Sequence, residues 1–141
     1  MTRSNFKNPR AKHDFIGRTC SISAVGSYVP EKVLTNADLE KLVDTSDEWI
    51  LSRTGIHERR IAAEDEFTSD MAAKAANIAL ERAQIKPADV DLIILATITP
   101  DMPFPATACL VQQKIEAFNA AAFDMEAACS GFVYALEIGQ Q

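Results

Sequence analysis

Leu92-Ile93-Ile94-Leu95-Ala96-Thr97-Ile98 is an unbroken apolar run, the mark of a central strand covered on both faces of a sheet. Its flanks agree with that reading. Upstream, Pro87 and Asp89 punctuate a turn, and before them Ala72, Ala75, Ala76, Ala79, Leu80 and Ala83 recur at three-and-four spacing. That spacing predicts a long helix, capped by Thr68 or Ser69, whose alanine stripe packs closely on the sheet. Downstream, the three prolines between Thr99 and Pro105 require an irregular loop. A helix from Thr107 to about Ala117, a strand from Ala121 to Glu126 and a helix from Ser130 complete the pattern. Strands alternating with helices predict an α/β fold, a mostly parallel sheet with flanking helices.

The region before this unit is less regular. Thr19 to Gly26 alternates small and β-branched residues and suggests a strand, followed by a loop from Ser27 to Glu31. Thr35 with Asp38 fits a capping box for a short helix through Val43, and Thr45 with Glu48 repeats that signature for a helix ending near Gly55. Ile56 to Ile61 reads as an edge strand, and 62–67 as a polar loop. The last helix places Phe132, Val133, Leu136 and Ile138 as apolar positions shortly before Gln141. Left uncovered, these would expose an apolar stripe that calls for a partner or favours aggregation.

A chain of 141 residues, 48% hydrophobic and 24% charged, matches one soluble globular domain. Its net charge of −6 is uneven, because residues 1–18 hold Arg3, Lys7, Arg10, Lys12 and Arg18 against Asp14 alone. Residues 1–18 therefore read as a basic, disordered leader, without the apolar core of a secretory signal. The remainder is strongly acidic and has no basic stripe interleaved with aromatics, which argues against nucleic acid. No window is long and apolar enough to span a membrane. Cys20, Cys109 and Cys129 lack CxxC spacing and suit a reducing, cytoplasmic setting rather than a disulfide framework or zinc site. His13 and His57 have no metal-ligand spacing around them, so no metal is expected.

Cys129 lies where the strand Ala121–Glu126 gives way to small residues and then to a helix. Backbone N–H groups and the positive end of the macrodipole at a helix start favour a thiolate, the nucleophilic form of the side chain. At the carboxyl end of a sheet it would also lie where α/β enzymes place their chemistry. A cysteine packing as a small hydrophobe fits the same local sequence. Thr45, Trp49 and Arg53 are spaced by four and would share one helix face. An indole and a guanidinium there can hold a flat adenine by stacking and cation–π attraction, with the guanidinium free for phosphate. On local sequence alone, a Trp that anchors the helix with Arg lying over it is the favoured reading, since Trp is mostly buried.

Taken in order, Gly26-Ser27-Tyr28-Val29-Pro30, Thr35-Asn36-Ala37-Asp38-Leu39, Asp44-Thr45-Ser46-Asp47-Glu48-Trp49-Ile50, Arg53-Thr54-Gly55-Ile56 and Ala127-Ala128-Cys129-Ser130-Gly131-Phe132 resemble β-ketoacyl-acyl carrier protein synthase III. This family contains the initiating condensing enzymes of type II fatty acid synthesis. The resemblance implies a thiolase-like fold, with residues 19–141 as an N-terminal domain incomplete at its C-terminus and the C-terminal half absent. It implies that Cys129 takes an acyl group from acyl-CoA, as a thioester that a carbanion from decarboxylating malonyl-acyl carrier protein then attacks. A thiolate suits both half-reactions, being a good nucleophile and a good leaving group. Coenzyme A enters as a substrate and no bound cofactor is implied. Trp49 and Arg53 would hold the adenine with Thr45 beside it, and Phe104 would reach across a homodimer to wall the partner's acyl pocket.

The family's catalytic histidine and asparagine come from the second half of its fold, and neither His13 nor His57 matches that histidine. The resemblance thus implies a chain that cannot condense alone. The acidic carrier protein asks for a basic docking patch, which is expected in the remaining half. A priming ketosynthase of polyketide or alkylquinolone synthesis shares the pattern, and a non-catalytic fragment is a third reading. A 3-hydroxy-3-methylglutaryl-CoA synthase fits less well, because of the Trp49 and Arg53 block.

Overall fold

A computed structural model describes residues 20–141, so the basic leader, His13 and the first residue of the suggested strand at Thr19 lie outside the described residues. The order of elements is β1 (Lys32–Thr35), α1 (Asn36–Leu39), α2 (Asp47–Thr54), β2 (Glu58–Ile61), α3 (Thr68–Ala83), β3 (Leu92–Ala96), α4 (Thr107–Lys114), β4 (Ala121–Met125) and α5 (Gly131–Gln140). Short 3₁₀ turns at Pro87–Asp89 and Ala128–Ser130 precede β3 and α5.

The unit built on the apolar run is a parallel pair, with Leu92 opposite Ala121 and Ala96 opposite Met125. Side chains alternate along it as period-two geometry requires. Ile93 and Leu95 pack with Ala72, Ala76 and Leu80 of α3 against a buried cluster of Ala73, Val111, Ile115, Ala117 and Ala120. Ile94 and Ala96 face the other way, towards α5, where Gly131 lets the helix approach so closely that a Cβ there would lie 3.0 Å from the Cβ of Ala96. The strand is thus flanked by helices on both faces. Ile98 falls beyond its end, in the exposed loop.

Several N-terminal elements differ from expectation. Residues 20–30 contain no strand. A strand exists by virtue of ladder hydrogen bonds to a neighbour, and among the described residues none pairs with this segment. It is held instead by α3: Arg82 Nη1 donates to the Val25 carbonyl at 2.8 Å. A Cβ on Gly26 would fall 2.0 Å from the Ala75 carbonyl oxygen, so only glycine permits this contact. Ala75 and Ala79 therefore face this segment, while Ala72 and Ala76 face the core.

Strand β1, unforeseen from the sequence, pairs antiparallel with β2, Lys32 opposite Ile61 and Thr35 opposite Glu58. The capping box at Thr35 and Asp38 forms as expected, but α1 ends at Leu39 rather than Val43. Ser46, not Thr45, caps α2, its hydroxyl accepting from Trp49 N at 3.1 Å. Helix α3 begins at Thr68, so neither Thr68 nor Ser69 is its cap. The Asp70 carboxylate accepts from Phe67 N there at 3.0 Å.

Asn36, fully within the interior at 2% exposure, ties this part of the fold together. Its Nδ2 donates to Asp47 Oδ1 at 2.7 Å and to the Ile56 carbonyl at 2.8 Å, and its Oδ1 accepts from Arg59 Nη2 at 2.9 Å. One amide so joins α1, the start of α2, the loop after α2, and β2.

Carboxylates in two of these caps and in the loop before α3 are held below their ordinary range by hydrogen bonds. The Thr35 hydroxyl, then Lys41, holds the Asp38 carboxyl at about 2 instead of 3.8. Lys114 lowers Asp70, and Lys74 with Tyr28 lowers Glu66. A depressed folded-state value adds stability that is complete above the unfolded value and is lost as pH falls through the folded one. The urea midpoint should therefore decline as pH drops from 3.8 towards 2, and Asp38→Asn should make that decline shallower. Identical slopes for the two proteins would detach Asp38 from the acid response.

Candidate active site

Strand β4 delivers Cys129 to the carboxyl end of the parallel pair. The residue sits in the 3₁₀ turn Ala128–Ser130, directly before α5, and its side chain is exposed. This is the strand-to-helix position anticipated from sequence. Ala128 is held at φ +43°, in the left-handed region that non-glycine residues avoid. Such strain persists only where surrounding structure enforces it, and it clusters at reactive sites. Here the Ser130 N–H donates to the Ala127 carbonyl at 2.9 Å, closing the turn. Its consequence is a thiol presented at the head of a ten-residue helix.

The thiol opens on an apolar groove of about 510 Å³ between α5 and β3, lined by Ile94, Ala96, Ala128, Phe132, Ala135 and Leu136. Among the described residues, no histidine lines it. Sequence reasoning singles out the thiol and misses this groove, although Phe132 and Leu136 stand out in the sequence as uncovered apolar positions.

Trp49 and Arg53 share one exposed face of α2, the guanidinium carbon 5.8 Å from the indole centroid. Trp49 is 57% exposed, so it does not anchor the helix. Ile50 does that, as the buried residue of α2. Thr45 is not on the helix, since α2 starts at Asp47. It nevertheless lines one hollow with Asp44, Ser46 and Trp49. Arg53 does not line that hollow, so Thr45 and Trp49 meet there from a loop and a helix while Arg53 is joined to Trp49 alone. This hollow and the Cys129 groove have no lining residue in common. Phe104, 87% exposed, projects from the loop between β3 and α4 and lines neither.

Two carboxylates that sequence reasoning passes over organise the end of the sheet where Cys129 emerges. Asp124, the penultimate residue of β4, accepts from Thr107 N and Ala108 N at 2.7 Å each, capping α4. Asp101 accepts from Ser69 N at 2.9 Å in the first turn of α3. An acidic residue inside an apolar strand is the available signal for Asp124. Among the described residues no group of three or more His, Cys, Asp or Glu side chains could hold a metal ion, and no helix is long and apolar enough to cross a membrane.

No family model matches the chain. A beta-ketoacyl-[acyl-carrier-protein] synthase III from Caldanaerobacter subterraneus subsp. tengcongensis is 62% identical over 120 residues, which cover 85% of this chain and 36% of that protein. The crystal structure of 3-oxoacyl-[acyl-carrier-protein] synthase III from Aquifex aeolicus superposes with a TM-score of 0.81 at 59% identity, covering 84% of this chain and 38% of that one. The priming beta-ketosynthase of the R1128 polyketide pathway gives the same TM-score at 39% identity, over 84% of this chain and 36% of that one. The fold is that of part of a thiolase-type condensing enzyme. Within that class, the chain matches a portion of beta-ketoacyl-[acyl-carrier-protein] synthase III over 85% of its own length. It spans little more than a third of the length of the relatives it matches.

The strain at Ala128 is testable without substrate. Glycine removes the Cβ conflict of a left-handed residue, worth roughly 1 kcal/mol, at some cost in unfolded-chain entropy. Ala128→Gly should therefore leave stability unchanged or raise it by up to about 1 kcal/mol in urea unfolding followed by circular dichroism. A loss larger than about 1 kcal/mol would mean that Ala128 makes contacts outweighing its backbone strain.

Proposed function

We propose that this chain carries the acyl-accepting site of an initiating condensing enzyme of type II fatty acid synthesis. The observation that supports this most directly is Cys129: exposed, at the head of α5, on a strained turn at the carboxyl end of parallel strands, and open to an apolar groove. Its thiolate attacks the thioester carbonyl of an acyl-CoA. The carbon–sulfur bond to coenzyme A breaks, and the departing thiolate of coenzyme A takes up a proton. The carbanion from decarboxylated malonyl-acyl carrier protein then attacks the enzyme thioester, forming a carbon–carbon bond as the carbon–sulfur bond to Cys129 breaks and its thiolate is released, in the second half of a ping-pong cycle.

The exposed Trp49 and Arg53 face supports coenzyme A recognition, since an indole and guanidinium left uncovered on one helix face offer adenine a stacking surface. Thr45 borders that hollow. Phe104 would act across a homodimer, for which its exposure leaves it available. Residues 19–141 would form the N-terminal thiolase-like portion, with residues 1–18 as a leader. Decarboxylation needs a group that polarises the malonyl carbonyl, and such donors are typically worth ~10²–10³ in rate. His57 does not line the Cys129 groove. The histidine, the asparagine and the basic surface for the carrier protein would then come from the remaining portion, and this chain alone would not condense. A priming ketosynthase of polyketide synthesis is the second reading, favoured by the R1128 superposition. The higher identity to synthase III relatives supports the first.

Incubation with radiolabelled acetyl-CoA should label Cys129 weakly in the isolated chain and leave Cys129→Ala unlabelled, with no ketoacyl product from malonyl-acyl carrier protein in either. Equal labelling of both proteins removes Cys129 from the role, and product formed without an added subunit refutes the dependence on other residues. Trp49→Ala should raise the acyl-CoA concentration needed for half-maximal labelling about fivefold, the equivalent of one exposed cation–π and stacking contact.

A further inference from the structure

We propose that Ala96 is a positioning residue for Cys129: its methyl group is the seat on which Gly131 rests, and that contact fixes where the thiol stands at the end of the sheet. The inference rests on the acyl-transfer reading given above. Its starting point is a glycine that the backbone does not require. Gly131 opens α5 at φ −54° and ψ −46°, right-handed helical values that any residue adopts. Glycine is also a poor helix former, so what the position demands is space. Gly131 is buried, and a Cβ on it would lie 3.0 Å from the Cβ of Ala96 and 3.9 Å from its Cα.

Ala96 is itself held in place. It ends β3 opposite Met125 in the parallel ladder, and directly after it Thr97 N donates to the Met125 carbonyl at 3.1 Å. Residues 126–130 therefore leave the sheet beside Ala96 and return to it at Gly131. Cys129 lies within this excursion, where Ala128 takes its φ of +43°. No side chain caps α5, so packing on Ala96 is what seats the head of the helix. Farther along the fit is looser: a Cβ on Gly139 would stand 3.9 Å from Ile94 Cδ1, an ordinary contact.

Carbon atoms pack best at about 3.5–4.0 Å, so a methyl group at residue 131 would push the head of α5 off the strand by about 0.5–1 Å. Cys129, two residues earlier, would move with it. A misplacement of about 1 Å can cost on the order of 10²-fold in a step that depends on alignment. The hollow at Trp49 shares no lining residue with the Cys129 groove, so recognition of coenzyme A there should be unaffected.

The test follows acetyl transfer from acetyl-CoA to Cys129 of the full chain by peptide mass, recording the limiting rate, the acetyl-CoA concentration at half that rate, and the final labelled fraction. Misfolded molecules lower the fraction, whereas a displaced thiol lowers the rate. Gly131→Ala should lower the limiting rate about tenfold and leave the half-rate concentration within about twofold. Gly139→Ala makes the same change at the looser contact and should keep the rate within about twofold. Gly131→Ala combined with Ala96→Gly moves the methyl group from strand to helix and should recover the original rate to within about threefold. The original rate in Gly131→Ala overturns the proposal, as does equal slowing in Gly139→Ala or a double variant that stays slow. If Gly131→Ala or the double variant does not fold, Ala96→Val presses on the same contact from the strand, and its limiting rate decides. Should no acetyl label reach Cys129 in any of these proteins, the acyl-transfer reading falls. The rate of iodoacetamide alkylation at Cys129, expected in the same order across the variants, then decides the contact alone.

Discussion

The Asp124 carboxylate caps the first turn of α4 from near the end of β4, and much of the described structure depends on that bridge. Thr107 and Ala108 are fully buried, so their N–H groups have no water to turn to. Hydrogen bonds to a charged acceptor are worth about 1.5–3 kcal/mol each, and leaving the donors unmade costs a comparable amount. The bridge fixes α4 over the parallel pair, and α4 brings Val111 and Ile115 into the buried cluster beneath α3. It also sets the origin of the loop that precedes α4. One acidic side chain in an otherwise apolar strand thus serves the core, the loop and the end of the sheet where Cys129 emerges.

How much of the fold is legible in sequence depends on how local each determinant is. The run from Leu92 declares β3 because burial on both faces leaves no alternation to misread. The strand-to-helix setting of Cys129 is equally plain, since small residues and a glycine separate two differently patterned segments. Strand β1 is invisible: Lys32-Val33-Leu34-Thr35 is too short to show a period, and its partner lies more than twenty residues away. The segment at 20–26 misleads in the opposite sense, having the composition of a strand without a ladder partner among the described residues.

The site is legible to a similar degree and for similar reasons. Trp49 and Arg53 meet as spacing by four on one helix requires. Thr45 shares a hollow with Trp49, though not with Arg53, through the chain's turn at Ser46, which spacing does not encode. The strain at Ala128 has no sequence signature, because alanine in a left-handed conformation is imposed by the turn that Ser130 closes and by the helix beyond it. Asp101 is concealed among prolines, where its carboxylate reads as a solvated loop residue; only the fold brings Ser69 to it across more than thirty residues.

Trp49 is the single tryptophan of the chain, and it stands on the surface of α2 rather than in the cluster around Val111. Its ring already meets water in the folded state and carries a guanidinium over its face. Tryptophan emission from this protein is consequently a reporter of that one helix face, sensitive to whatever stacks there. Optical signals for docking and for unfolding are separated by the architecture itself: the indole records the first, and the backbone chromophores of the helices record the second.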